Sequence, residues 1–227
     1  MDALSEFYAR TDAVGVTVAL VLLAMSVSAW VVIVWKALVL RRALLDSARA
    51  IPAFWDAVSW EQGCSRLEAM DRERVLLPLV LAARQEPPGG TLQSQADLAS
   101  QLTRRLRDAL QSSLATLQFG QVLLASIGST APFIGLFGTV WGIYQALAAI
   151  GAAGAFTIDR VSGPVGEALV MTAAGLAVAI PAVLAYNLFG KWVGACEARL
   201  EGFAHDLREI ELATRQAGQA GQTGQAR

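Results

Sequence analysis

One carboxylate and two hydroxyls are the groups best placed for chemistry inside the apolar part of this chain. Glu167 is the only charge between 162 and 190. Thr139 lies in Gly135-Leu-Phe-Gly-Thr-Val-Trp-Gly142, and Thr172 in Glu167-Ala-Leu-Val-Met-Thr-Ala-Ala-Gly175. A lone acid in an apolar span is costly in lipid and is a functional candidate by default. Buried carboxyls in general titrate nearer neutrality, which is the chemistry of a proton site. The bland alternative for Glu167 is an acid that hydrogen-bonds a neighbour or reaches out to the interface. For the threonines it is bonding back to a carbonyl one turn earlier.

Little else competes. Cys64, Cys196 and His205 have no metal-like spacing, and no nucleophile, base and metal form a set. We therefore expect no catalytic, metal or cofactor residues, and not an enzyme. A net charge of −1 gives no footprint for nucleic acid.

The elements that must position these groups are long apolar helices. Hydrophobic residues make up 55% of the 227 and charged ones 16%, against about 25% charged in soluble domains. Residues 13–35 are free of charge, and at 1.5 Å per residue they rise roughly 34 Å, enough for a core of about 30 Å. Trp30 and Trp35 suit the interface at its far end. Asp2, Glu6 and Asp12 precede the run and Lys36, Arg41 and Arg42 follow it, so the N-terminus is expected outside. With no basic n-region, the run reads as an uncleaved span rather than a signal peptide.

Residues 41–108 hold ten arginines and nine acids and read as solvent-facing helices broken at Pro52 and at Pro87-Pro88-Gly89-Gly90. Ile51, Phe54, Trp55, Val58 and Trp60 read as local core. From Gln93 a helix carries Leu98, Leu102, Leu106, Leu110, Leu114 and Leu117 on one face. Arg104, Arg105 and Arg107 among them read as solvated, or as meeting anionic headgroups. This helix shows no clear stop before the second apolar stretch, and Pro132 is expected to kink it. In the third span Pro164 suits the first turn and Pro181 a bend. After Lys191, the positions Trp192, Cys196, Leu200, Phe203, Leu207 and Ile210 mark an amphipathic helix.

Depth follows from helical rise. Thr139 lies about 16 Å from the end of the second span and Thr172 about 12 Å from the start of the third. Glu167 is only about 5 Å down. Gly135, Gly138, Gly142 and Gly175 allow close helix approach, to partners within the chain and to other copies. The expected fold is an all-α membrane protein with three transmembrane helices, N-out and C-in, helices 2 and 3 extending into a cytoplasmic helical domain. Its parts are an outer segment 1–12, spans 13–40, 119–150 and 162–190, a helical loop 41–118, an outer turn 151–161, an amphipathic helix 191–216 and a disordered tail 217–227.

The run Ala131-Pro-Phe-Ile-Gly-Leu-Phe-Gly-Thr-Val-Trp-Gly-Ile143, the run Gly166-Glu-Ala-Leu-Val-Met-Thr-Ala-Ala-Gly-Leu176 and Ala179-Ile-Pro-Ala-Val-Leu-Ala-Tyr-Asn187 resemble the MotA/TolQ/ExbB family of proton-channel proteins. Within it, Ile158-Asp-Arg-Val-Ser-Gly-Pro-Val-Gly-Glu-Ala168 is more similar to the ExbB branch than to TolQ. The resemblance implies a homopentamer in the Gram-negative inner membrane, surrounded by lipid. An ExbD dimer would sit in its pore and carry the key aspartate. The complex would use the proton motive force to energise TonB for siderophore and cobalamin uptake, by rotation around ExbD. It also places the polar ring on Thr139 and Thr172 and the third-helix acid on Glu167. The alternatives are a TolQ-like subunit of the Tol-Pal system, a flagellar stator, disfavoured by three spans rather than four, and a non-conducting scaffold.

Overall fold

Six helices and no strand occur among the residues described by the computed structural model, which are 12–85, 90, 97–153 and 158–225. Expectations for residues 1–11, the break at 87–89, the helix start at Gln93, the turn residues 154–157 and the end of the tail at 226–227 lie outside them. The helices are α1 (Ala13–Trp55), α2 (Trp60–Met70), α3 (Leu77–Arg84), α4 (Leu98–Gln118), α5 (Gln121–Ala153) and α6 (Ile158–Gln225). Three of them, α1, α5 and α6, are long and apolar enough to cross a membrane. Two compact units form. The described parts of Met1–Lys36 with Gly120–Leu188 make one, and those of Ala37–Phe119 with Phe189–Arg227 the other.

The first unit is a bundle of apolar helix segments. Val18 and Leu22 from α1, Ala131 from α5, and Met171 and Ala179 from α6 form its buried centre. Outward faces stay apolar: Leu23, Val31, Phe133, Val140, Val170 and Leu184 are all more than half exposed. Such faces suit hydrocarbon or another membrane helix, not water. Pro132 lies inside α5, and Pro164 and Pro181 inside α6. Pro164 is not in a first turn, because α6 starts at Ile158, seven positions along with Pro164 counted. Its missing N–H costs one ladder bond near the helix start, which a 68-residue helix absorbs.

The expected unbroken helix before the second span is two helices. Phe119 is extended, at φ −52° and ψ 135°, and Gly120 is left-handed at φ +83°. A side chain at 120 would also come within 3.0 Å of Val32. Glycine alone tolerates both constraints. No proline or polar cluster marks this break in the sequence.

The second unit explains most of the mid-chain pattern. Leu102, Leu106, Leu114 and Leu117 of α4 are buried, as are Cys196, Leu200, Phe203 and Leu207 of α6. The rhythm ends one residue late: Ile210 is exposed and Glu211 is buried, where Glu211 pairs with Arg215 at 2.7 Å and Arg84 at 3.9 Å. Phe54 meets Trp55, Trp60 and Phe203 edge-on at 4.9–5.4 Å, and Arg84 stacks over Trp60. This is the local core expected there, except that Val58 is 95% exposed in the turn. Asp71, itself buried, accepts from the backbone N–H groups of Val75, Leu76 and Leu77 at 2.8–3.0 Å and so opens α3. Asp46 takes a two-point bond from Arg72 at 3.1 and 3.2 Å.

The C-terminal helix continues to Gln225, into the stretch expected to be a disordered tail from 217. Alanine and glutamine are good helix formers, and a helix already nucleated propagates cheaply through them despite the glycines.

Candidate functional site

α5 and α6 touch through glycine. A β-carbon at Gly135 would lie 2.5 Å from the Met171 carbonyl oxygen, and one at Gly175 2.6 Å from that of Ala131. At Gly138 it would meet Met171 and Val18 at 3.0 Å, and at Gly142 the Ala168 side chain at 2.8 Å. Gly128 is equally tight against Val183, at 2.5 Å. The four glycines singled out in the sequence therefore all lie on the contact, and Gly128 joins them. Backbones this close leave no room for any larger residue, and they bring polar side chains of the two helices into direct contact.

At that crossing the Thr139 and Thr172 Oγ1 atoms are 3.2 Å apart. Thr139 also bonds back to the Leu136 carbonyl at 2.6 Å. One hydroxyl carries one proton. Since Thr139 gives its proton to Leu136, Thr172 donates to Thr139, and a short directed chain runs from Thr172 through Thr139 to the carbonyl. Thr139 is buried at 5% exposure, whereas Thr172 is only partly buried. The open valences of the chain are thus the acceptor lone pairs of Thr172.

Glu167 sits elsewhere. It is exposed and lines a cavity of about 230 Å³ with Asp12, Trp141, Gln145 and Pro164. Room exists there for several waters. Among the described residues Glu167 takes no hydrogen bond or ion pair. The inner lining includes Gly138 and Met171, each adjacent in sequence to one of the threonines. Glu167 and the hydroxyl pair are therefore separate features, the acid nearer the start of α6.

In the sequence Asp12 stands only as the last acid before the first apolar run. It caps α1, accepting the Ala13 N–H at 2.8 Å, and it accepts Trp141 Nε1–H and Gln145 Nε2–H, each at 3.1 Å. The Trp141 bond, then the Ala13 amide, holds its carboxyl below the ordinary value. An aspartate immediately before an apolar helical run is an N-cap signal and was legible. The i, i+4 pair Trp141 and Gln145 was visible as one helix face, but nothing in the sequence said that the face meets Asp12.

The cysteines are free. Burial pushes both thiols up, which leaves them poor nucleophiles at neutral pH.

A glycine-closed bundle of membrane-length helices, with a hydroxyl pair inside and carboxylates at one end, defines a multi-pass membrane protein. The chain belongs to the MotA/TolQ/ExbB proton channel family, whose sequence pattern matches residues 78–202. This is a transport- and channel-associated family, not an enzyme family. Over 209 residues the chain is 41% identical to a biopolymer transport protein ExbB of Xanthomonas campestris pv. campestris, covering 87% of this chain and 81% of that one. It is 39% identical over 202 residues to a biopolymer transport protein ExbB of Neisseria meningitidis, covering 86% and 91%. To the Tol-Pal system protein TolQ of Haemophilus influenzae it is 26% identical over 209 residues, covering 90% and 92%.

Proposed function

We propose that this chain is an ExbB-type subunit of a proton-driven motor in the inner membrane of a Gram-negative bacterium. In this reading the N-terminus lies outside and the C-terminus in the cytoplasm. Five copies surround an ExbD dimer, and proton flow through the assembly energises TonB for siderophore and cobalamin uptake. The observation that carries the reading is the Thr139–Thr172 pair, 3.2 Å apart at a glycine crossing. Thr172 offers acceptor lone pairs where a protonated partner carboxyl would need them. Ringed in several copies, such pairs make a narrow polar path that no single copy provides. Glu167 and Asp12 serve as the outer vestibule of that path.

The energetics suit a multi-proton cycle. One elementary charge crossing 100 mV is worth about 2.3 kcal/mol, so each proton supplies a few kcal/mol at most. The sequence relatives named for ExbB are closer than the one named for TolQ, which favours uptake over envelope constriction.

The test is Thr139→Val with Thr172→Val, two near-isosteric changes that remove both hydroxyls. Siderophore uptake should fall at least about tenfold while co-purification with the one-span partner, followed by mass measurement, still gives the intact assembly. Unchanged uptake would end the polar-path reading. A chain that never captures such a partner would end the motor reading.

A further inference from the structure

A second site lies in the other unit, where α4 runs beside α6. Ser100, Thr103, Arg104 and Arg107 occupy one face of α4 at i, i+3, i+4 and i+7, and Arg208 faces them from α6. Together with Ala99 and Asp108 they line a groove of about 510 Å³. Arg208 is fixed in place: its Nε–H donates to Thr103 Oγ1 at 2.9 Å and its Nη1–H to Glu209 at 2.6 Å. Arg104 and Arg107 are exposed and make no ion pair or hydrogen bond among the described residues. Thr103, Arg107 and Arg208 also line an adjoining pocket of about 170 Å³, where the wall becomes apolar at Leu106, Leu110 and Ala204. Glu201 and His205 close that end.

Membrane headgroups are the first anion to consider, and the separation along each helix from the apolar runs argues against them. Along α4, Arg104 and Arg107 lie 14 and 11 residues before Gln118, about 21 and 16 Å at helical rise. Along α6, Arg208 lies 19 residues past Phe189, about 28 Å. Charges in physiological salt are screened over about 8 Å. The groove therefore meets soluble anions. Its shape favours a chain over a compact ion: from Ala99 to Leu110 is about 16 Å of helix, the reach of about five extended residues. Guanidinium forks match carboxylates in two-point geometry, and the apolar end offers a seat for an aliphatic side chain.

We propose that this α4–α6 groove binds an acidic peptide segment carrying an aliphatic residue, supplied by a partner protein on the aqueous side. The site is separate from the threonine pair, and its existence does not depend on the motor reading.

The experiment uses the full-length chain purified in detergent and a fluorescein-labelled peptide of three glutamates interleaved with two leucines. Fluorescence anisotropy should show saturable binding, at least about tenfold tighter than for the same peptide with glutamines. Binding should weaken as salt rises from about 50 to about 200 mM. R104Q/R107Q, at two exposed positions, should lose binding at least about tenfold while its elution and melting temperature stay unchanged. Equal binding of the glutamate and glutamine peptides, or by R104Q/R107Q, would overturn the proposal. So would displacement by pyrophosphate below the peptide's own Kd, which would assign the groove to phosphates. A smaller oligomer for R104Q/R107Q by mass measurement would assign it to a second copy of the chain and also overturn it.

Discussion

Gly135→Ala should separate the two helices that hold the threonine pair. The added methyl would lie 2.5 Å from the Met171 carbonyl oxygen, 3.1 Å from Thr172 Cα and 3.2 Å from Gly175 Cα. Ordinary contact begins at 3.4 Å, so relief needs a shift of about 0.9 Å, the difference of 3.4 and 2.5. The obstacle is backbone and cannot rotate away. Thr139 is one turn along from Gly135, and the same shift would stretch its 3.2 Å contact with Thr172 to about 4 Å, beyond hydrogen bonding. Overpacking of this kind costs about 1–3 kcal/mol, and the lost bond on the order of 0.6 kcal/mol in a membrane bundle. Alanine's better helix propensity returns about 1 kcal/mol. Gly202→Ala is the control, because its new methyl meets nothing within 4 Å. That variant gains the propensity term alone. Thermal melting in detergent, followed by loss of the monodisperse elution peak, should rank Gly135→Ala below wild type and Gly202→Ala at or above it. If Gly135→Ala melts with Gly202→Ala, the glycine crossing does not set the helix distance and the argument for the threonine geometry falls.

Glu167→Ala should reduce proton-coupled uptake severely while assembly and melting stay near wild type, since the carboxylate is exposed and has no partner among the described residues; a fully active variant would leave Glu167 without a transport role. Asp71→Ala should destabilise by on the order of 2–4 kcal/mol, because three backbone N–H groups at the start of α3 lose their acceptor; a melting shift no larger than that of Asp56→Ala, a change in the turn after α1, would refute this. The tether of Asp12 to Trp141 should depend on pH with a definite sign. Its folded pKa is depressed from 3.8, so its contribution is complete above that value and fades as pH falls through the lower folded one. The Trp141 indole N–H resonance, assigned with Trp141→Phe, should hold its shift from pH 7 to about 4.5 and move only in more acid solution. A midpoint above the ordinary carboxylate range would contradict the bonding described.

The three spans and the amphipathic ends were legible because apolar runs and 3.6-residue periodicity report burial directly. The glycine stretch was legible for a related reason, since small residues in an apolar helix have few uses besides close approach. Matched depth on neighbouring helices placed Thr139 and Thr172 at one level, and the 3.2 Å contact adds the rotation about each helix axis that depth alone leaves open. What escaped were features fixed by single residues in tertiary context. Gly120 breaks α4 from α5 through a positive φ, yet a lone glycine in a helical pattern gives weak warning. Lys36, counted with Arg41 and Arg42 as the basic side of the first span, is buried at 2% exposure, while the two arginines are exposed. Glu211 took the buried position expected for Ile210, where Arg215 and Arg84 meet it; the i, i+4 pair with Arg215 is visible in the sequence, but the pairing with Arg84 across 127 residues leaves no local signal.

The separation of acids from hydroxyls has its own physical reason. A charge costs more the deeper it lies in hydrocarbon, whereas a hydroxyl satisfied by a carbonyl one turn earlier costs little at any depth. That cost accounts for Asp12 and Glu167 lying at the cavity while the threonines that meet at the helix crossing are neutral. Among the described residues the crossing itself holds hydroxyls and no titratable group. Thr172 ends the chain with free acceptor valences on a partly exposed face, and Leu169 and Leu176, one turn to either side of it on α6, remain open. A proton moving past this level needs a titratable group from another chain against that face. Adding that chain should therefore shield Leu176→Cys from thiol reagents in a Cys64→Ser, Cys196→Ser background, and a thiol there that stays equally reactive would place the partner elsewhere.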